Sequence, residues 1–151
     1  MDIRLDDLSG EQVRALLAAH LDGMRQNSPL NSVHALDLSG LQSPAVSVWA
    51  VWEVDDLYGI GALKQLSPES GEIKSMRTAD CHLRKGVGRA LLEFIIAEAR
   101  RRGYRLLSLE TGSGAEFEAA VTLYRTQGFV FGEPFGDYEP TAFNQFMHLE
   151  L

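Results

Sequence analysis

The run Leu83-Arg84-Lys85-Gly86-Val87-Gly88-Arg89 leads directly into an apolar-periodic segment, Val87–Arg101, and its residue types suit the capture of an anion. Two glycines remove Cβ atoms and let backbone N–H groups approach a ligand. The unpaired amides and positive dipole end of a helix beginning there attract phosphate, so the chemistry points to a phosphorylated cofactor. Other phosphate-binding loops fit poorly. A dinucleotide fingerprint, and with it a nicotinamide oxidoreductase, needs a third glycine where Leu91 stands, and no βαβ unit opens upstream. No Gly-Lys-Ser/Thr follows the glycines, so the lysine and magnesium-binding hydroxyl of a P-loop are both missing. Taken alone, a Gly-x-Gly pair is also compatible with a plain helix start.

Asp80-Cys81-His82 invites a nucleophile reading, because a nearby imidazole can lower a thiol pKa. Adjacency in sequence is not catalytic geometry. In an extended conformation Cys81 and His82 point to opposite sides, which favours a loop thiol beside an unrelated histidine. His20, His34 and His148 lack the spacing of metal ligands, and no metal is expected.

The chain of 151 residues, 45% hydrophobic, is the size of one compact domain, and residues 1–151 are read as a single unit. A formal charge of −7 argues against nucleic-acid binding, which needs a basic footprint. Positive charge is local: Arg84, Lys85 and Arg89 surround the loop, while Arg100, Arg101 and Arg102 suit the C-terminal end of the helix dipole. No apolar run approaches the ~18 residues of a membrane span, and Met1-Asp2-Ile3-Arg4 does not open a signal peptide. One cysteine forms no internal disulfide, in keeping with a reducing compartment, and a cytoplasmic location is expected.

Hydrophobic periodicity supplies the elements that must position the loop. Ile3 and Leu5 alternate in a short strand. Ser9 and Gln12 have capping-box spacing before Val13, Leu16, Leu17, His20, Leu21 and Met24, a helical series. Ser28-Pro29 ends it, and residues 31–41 suggest a second, shorter helix. Residues 46–54 are rich in β-branched and aromatic side chains, turn at Asp55-Asp56 and continue as a hairpin through residues 57–63. A turn at residues 67–71 leads to a strand over residues 72–78. After the loop helix, residues 105–111 read as a strand and 115–127 as a helix stopped by Gly128. Residues 129–135 and 143–151 are the last strands.

This order resembles the GCN5-related N-acetyltransferase (GNAT) family. The carrying residues are Arg84-Lys85-Gly86-Val87-Gly88-Arg89-Ala90-Leu91-Leu92 and, downstream, Leu123-Tyr124-Arg125-Thr126-Gln127-Gly128-Phe129. The first is similar to the family's acetyl-CoA pyrophosphate loop, the second to its Tyr-x-x-x-Gly-Phe helix ending. The chain departs from the family at Leu83, where Gln or Arg usually begins the loop, and at Phe117, where many members carry Asn.

The resemblance implies an α/β (α+β) fold with a mixed, largely antiparallel sheet, helices on both faces and splayed central strands. It implies direct transfer of an acetyl group from acetyl-CoA, the cosubstrate, to a primary amine in a ternary complex. Arg84, Gly86, Val87, Gly88 and Arg89 would form the pyrophosphate loop with Lys85 adding charge, and backbone near Met76 and Thr78 would hold the pantetheine arm. Tyr124 would be the general acid, since a phenol can deliver a proton to a departing thiolate. Glu72 is the candidate general base, in place of or through an ordered water. His34, Arg77, Glu110 and Tyr138 are candidates for the acceptor pocket, with a small-molecule amine as the expected acceptor and a homodimer as one possible assembly. The alternative is a non-catalytic acyl-CoA-binding regulatory or interaction module.

Overall fold

Alternation in the strands dictates a sheet covered on two faces. In the computed structural model, which describes residues 1–29 and 33–151, β2 (Val46–Glu53) sends Trp49 and Val51 to one face and Val48 and Ala50 to the other. All four are buried. On the first face lies α3 (Val87–Arg101), whose Val87, Leu91, Leu92, Ile95, Ile96 and Ala99 form one buried stripe. On the second lies α1 (Glu11–Asn27), held by Val13 and Leu17 against Leu57, Ile60 and Ala62.

The remaining elements are β1 (Asp2–Leu5), α2 (Leu38–Leu41), β3 (Asp56–Ser67), β4 (Ser70–Thr78), β5 (Leu106–Thr111), α4 (Glu118–Thr126), β6 (Val130–Phe131) and β7 (Gln145–Glu150). They make one seven-stranded sheet in the order β1-β2-β3-β4-β5-β7-β6. Neighbours are antiparallel except β4 and β5, which are parallel. This is the mixed, largely antiparallel sheet expected from the sequence.

Four local expectations are corrected. Gly10, not Ser9, caps α1, and it supplies no side-chain bond. Gln12 instead reaches across to β3, donating to the Asp55 carbonyl at 2.8 Å and accepting from the Leu57 N–H at 3.0 Å. Of the short helix expected over residues 31–41, only Leu38–Leu41 is helical, because Asp37 Oδ1 accepts from the Gly40 N–H at 2.9 Å and starts the turn there; residues 31 and 32 lie outside the described residues. Residues 115–117 form a 3-10 turn before α4. The last two strands are shorter than their apolar content suggests, because residues 132–144 are a connecting loop carrying Tyr138.

Candidate active site

The end of α4 gives the Tyr-x-x-x-Gly-Phe spacing a physical cause. Gly128, at φ +100°, takes the left-handed conformation that lets its N–H reach the Arg125 carbonyl at 3.0 Å, while the Phe129 N–H reaches the Tyr124 carbonyl at 3.1 Å. This pair of bonds is a Schellman ending, which places the first residue of the motif against the last. The Tyr124 and Phe129 rings meet edge to face at 5.8 Å. Tyr124 is thereby fixed and buried, and burial pushes its phenol up to about 12.

The glycine loop opens α3. Arg84 and Gly86 both have left-handed backbone, at φ +63° and +80°, and Gly86 is the residue before the first helical turn. Alternation of right- and left-handed residues turns successive N–H groups toward one side, the geometry of an anion nest. Lys85 stands behind the loop: its ammonium donates to His82 Nδ1 at 3.0 Å and lies 5.2 Å from the Tyr58 ring. Because Nδ1 accepts there, the Nε2–H of His82 donates to Asp56 Oδ2 at 2.8 Å. His82 is thus committed to positioning the loop, while Cys81 is exposed.

Between loop and Tyr124 the sheet is open. β4 and β5 pair at Ser70↔Leu106, Gly71↔Leu107 and Glu72↔Ser108, and not beyond. Past that point β4 keeps β3 and β5 keeps β7. The cause lies in β4, where Ser75 and Met76 together oppose Gly61 of β3 as a bulge and Ser75 is at φ +55°. A bulge bends its strand and sharpens the twist. The opening continues into a groove of about 520 Å³ lined by Met76, Thr78, Arg84, Gly86, Gly88 and Tyr124, among others.

On the other side of Tyr124 lies a smaller cavity, about 110 Å³, bounded by His20, His34, Glu72, Lys74, Glu110 and Phe117. Glu72 is buried, accepts from Lys74 Nζ at 3.1 Å and is hydrogen-bonded by the Tyr138 hydroxyl. Tyr138 in turn accepts from Lys74 at 2.7 Å. Among the described residues, the one charged-type partner within ion-pair distance of Glu110 is the His34 ring, at 3.7 Å. Burial raises its carboxyl to about 7, against the downward pull of Lys74 and Asn144, with Glu72 adding to the rise. Burial also lowers His20 to about 4, with Arg77 contributing, so its ring is neutral at pH 7.

The residues singled out in the sequence fall into three groups. Met76, Thr78, Arg84, Gly86, Val87, Gly88 and Arg89 line the groove with Tyr124. His34, Glu72 and Glu110 line the cavity, and Tyr138 reaches it by its hydroxyl contact with Glu72. Lys85 lines neither groove nor cavity, and Arg77 lines the groove and not the cavity, lying against Gly23 of α1 and 3.8 Å from Asp80. Sequence reasoning missed Lys74, and it noted His20 and Phe117 without placing them at this cavity. Lys74 is two residues from Glu72 on the same face of β4, a signal that was present. Phe117, in place of the family's Asn, is a wall: it packs edge to face on Phe143 at 5.5 Å and leaves no room for a Cβ at Gly112.

Comparison with known proteins gives a consistent result. The model of the acetyltransferase (GNAT) family matches residues 13–129. The chain is 51% identical over 151 residues, all of both chains, to the uncharacterized N-acetyltransferase YsnE of Bacillus subtilis (strain 168). It is 36% identical over 126 residues, 82% of this chain and 80% of the relative, to the IAA acetyltransferase of Azospirillum brasilense. Among solved structures, a GNAT family acetyltransferase from Elizabethkingia anophelis with acetyl-CoA bound superimposes with a TM-score of 0.73 at 18% identity, over 99% of this chain and 97% of that one.

Proposed function

Because this chain belongs to the acetyltransferase (GNAT) family, and is an acetyl-CoA-dependent acetyltransferase, we propose that it acetylates the primary amine of a compact small molecule. The observation that carries the reading is Tyr124, which lines both the groove beside the glycine loop and the cavity beyond the parted strands. A ligand in the groove and a ligand in the cavity would meet at its hydroxyl. The IAA acetyltransferase relative supports an acceptor of small-molecule size.

The groove residues fit coenzyme A. The left-handed turns at Arg84 and Gly86 aim amides at a diphosphate, and the unpaired side of β4 beyond Glu72 offers extended backbone to an extended pantetheine arm. When bound, acetyl-CoA supplies the activated thioester. The chain's residues then do two things. Glu110, held near neutrality without a close cationic partner, accepts the proton that the amine loses as its nitrogen bonds to the acyl carbon. Tyr124 donates its hydroxyl proton, or a hydrogen bond, to the sulfur as the carbon–sulfur bond breaks.

Glu72, the base expected from the sequence, is less suited to that role, because proton uptake there would break its contact with Lys74. We assign it to shaping the acceptor cavity. The outcome balances as amide plus free thiol: the acceptor's ammonium gives up one proton to solvent before attack, and the proton that Glu110 takes during attack returns through solvent to Tyr124.

The test is thiol release from acetyl-CoA across a panel of small amines. Tyr124→Phe should lower kcat by roughly 10- to 100-fold while acetyl-CoA affinity stays within about twofold. Unchanged kcat with an accepted amine would remove Tyr124 from the reaction. Tight acetyl-CoA binding with no amine-dependent thiol release would favour a binding module instead.

A further inference from the structure

The acceptor cavity holds two acidic side chains and one lysine. Glu72 and Lys74 have side chains 4% and 8% exposed, and their contact at 3.1 Å is completed by Tyr138, whose hydroxyl accepts from Lys74 at 2.7 Å and donates to Glu72. The Lys74 ammonium also lies 5.5 Å from the Tyr138 ring centroid. Glu110, with its side chain 9% exposed, faces the same cavity and has no lysine or arginine within ion-pair distance among the described residues. His20 adds no positive charge at pH 7, and its buried Nδ1 has no hydrogen-bond partner among the described residues. His34 stands at the rim, 31% exposed and beyond hydrogen-bond reach of Glu110.

A buried carboxylate without a cation is costly, and so is a buried cation without a carboxylate. Glu72 is answered by Lys74, and Glu110 is the acidic group left over: it holds a proton below about pH 7 and is a carboxylate open to a cation above it. We propose that Lys74 is a built-in ammonium that fits this cavity to monoamines: it occupies the place on Glu72 where the second ammonium of a diamine would bind, and leaves Glu110 for the single ammonium of the acceptor. The inference rests on reading this cavity as the acceptor site. A monoamine with a short neutral remainder balances the leftover carboxylate. A diamine brings a second charge that only the already paired Glu72 could answer, inside a space of about 110 Å³.

The experiment uses two probes with the same three-carbon chain, n-propylamine and 1,3-diaminopropane, with the full chain as wild type and as Lys74→Met. Isothermal titration into the CoA-loaded protein gives affinities, and thiol release from acetyl-CoA gives kcat/KM. Wild type should favour propylamine by at least tenfold in both. In Lys74→Met, the second ammonium of the diamine replaces the lost one on Glu72, and the preference should shift toward the diamine by about 10- to 100-fold. Lys74→Arg, which keeps the charge, should retain the wild-type preference.

Equal use of the two probes by wild type overturns the proposal, so it stays testable if Lys74→Met does not fold. A ratio unmoved by Lys74→Met overturns it as well. The two readings fail separately. Monoamine-selective titration without thiol release would sink acetyl transfer and uphold the charge selection; thiol release without selection would do the reverse.

Discussion

Glu110 is a carboxyl group that folding pushes in the unusual direction, from 4.5 to about 7. Between those values the folded protein holds a proton that the unfolded chain has released. Stability therefore falls as pH rises through that window and levels off above about 7. The same titration sets activity in the opposite sense, because only the ionised carboxylate can accept a proton. We expect kcat/KM to rise with pH through a limb near 7, and Glu110→Gln to lose both that limb and most of the activity. The melting midpoint of Glu110→Gln relative to wild type should improve from pH 5 to pH 8. Parallel midpoint curves for the two proteins would contradict this account of the carboxyl. The glutamate pair was half legible in the sequence: Glu72 and Glu110 were both singled out, but their roles depend on Lys74 and Tyr138. Tyr138 stands 66 positions from Glu72, a distance that no local pattern spans.

Elements decide how closely these side chains can approach. The bulge at Ser75 and Met76 needs a partner strand with no side chain opposite, and Gly61 provides it. A Cβ there would lie 2.6 Å from Met76 Sδ, 2.9 Å from Leu91 Cδ2 and 3.2 Å from Ile95 Cδ1. Gly61→Ala should destabilise the protein by about 1–3 kcal/mol through overpacking, read as a lower thermal midpoint. It should also weaken acetyl-CoA binding, because α3 carries the glycine loop and would be pushed off the sheet. An unchanged midpoint would deny the close contact of helix, bulge and glycine. Periodicity made most elements visible beforehand, since α1, α3 and the strands of residues 46–78 each carry a long regular pattern. The bulge was not visible. Glu72-Ile73-Lys74-Ser75-Met76-Arg77-Thr78 reads as an unbroken strand, and only its register against β3 reveals two residues opposite one. The short helix Leu38–Leu41 was misjudged for a related reason, because four residues capped by Asp37 leave no period to count.

At the scale of the whole molecule, one sheet separates two apolar clusters, one under α3 and α4 and the other under α1 and α2. The groove lies at the edge of the first, and the cavity lies between β4, β5 and the end of α1. The splayed central strands were expected only through the family resemblance, because pairing partners such as Glu72 and Ser108 share no local signal. The described residues contain no helix long and apolar enough to cross a membrane. The loop that carries Tyr138 is tied down at its start: His148 Nε2 donates to the Glu133 carbonyl at 2.7 Å, which leaves Nδ1 to accept from Ser108 at 2.7 Å. That tie links β5 and β7 to the loop before the acceptor side chains.

The parting of β4 from β5 has a consequence for how the protein breathes. Sheets ordinarily loosen at their outer strands and hold deuterium out longest at the middle. Here the weakest line should run through the interior, along the amides of residues 74–78 that face the gap, while Val48 to Val51 stay protected. Adding coenzyme A should slow deuterium uptake along that inner line more than anywhere else, and uniform slowing across all strands would count against it. The ligand then acts as a missing rib, and each catalytic cycle ends by taking it out.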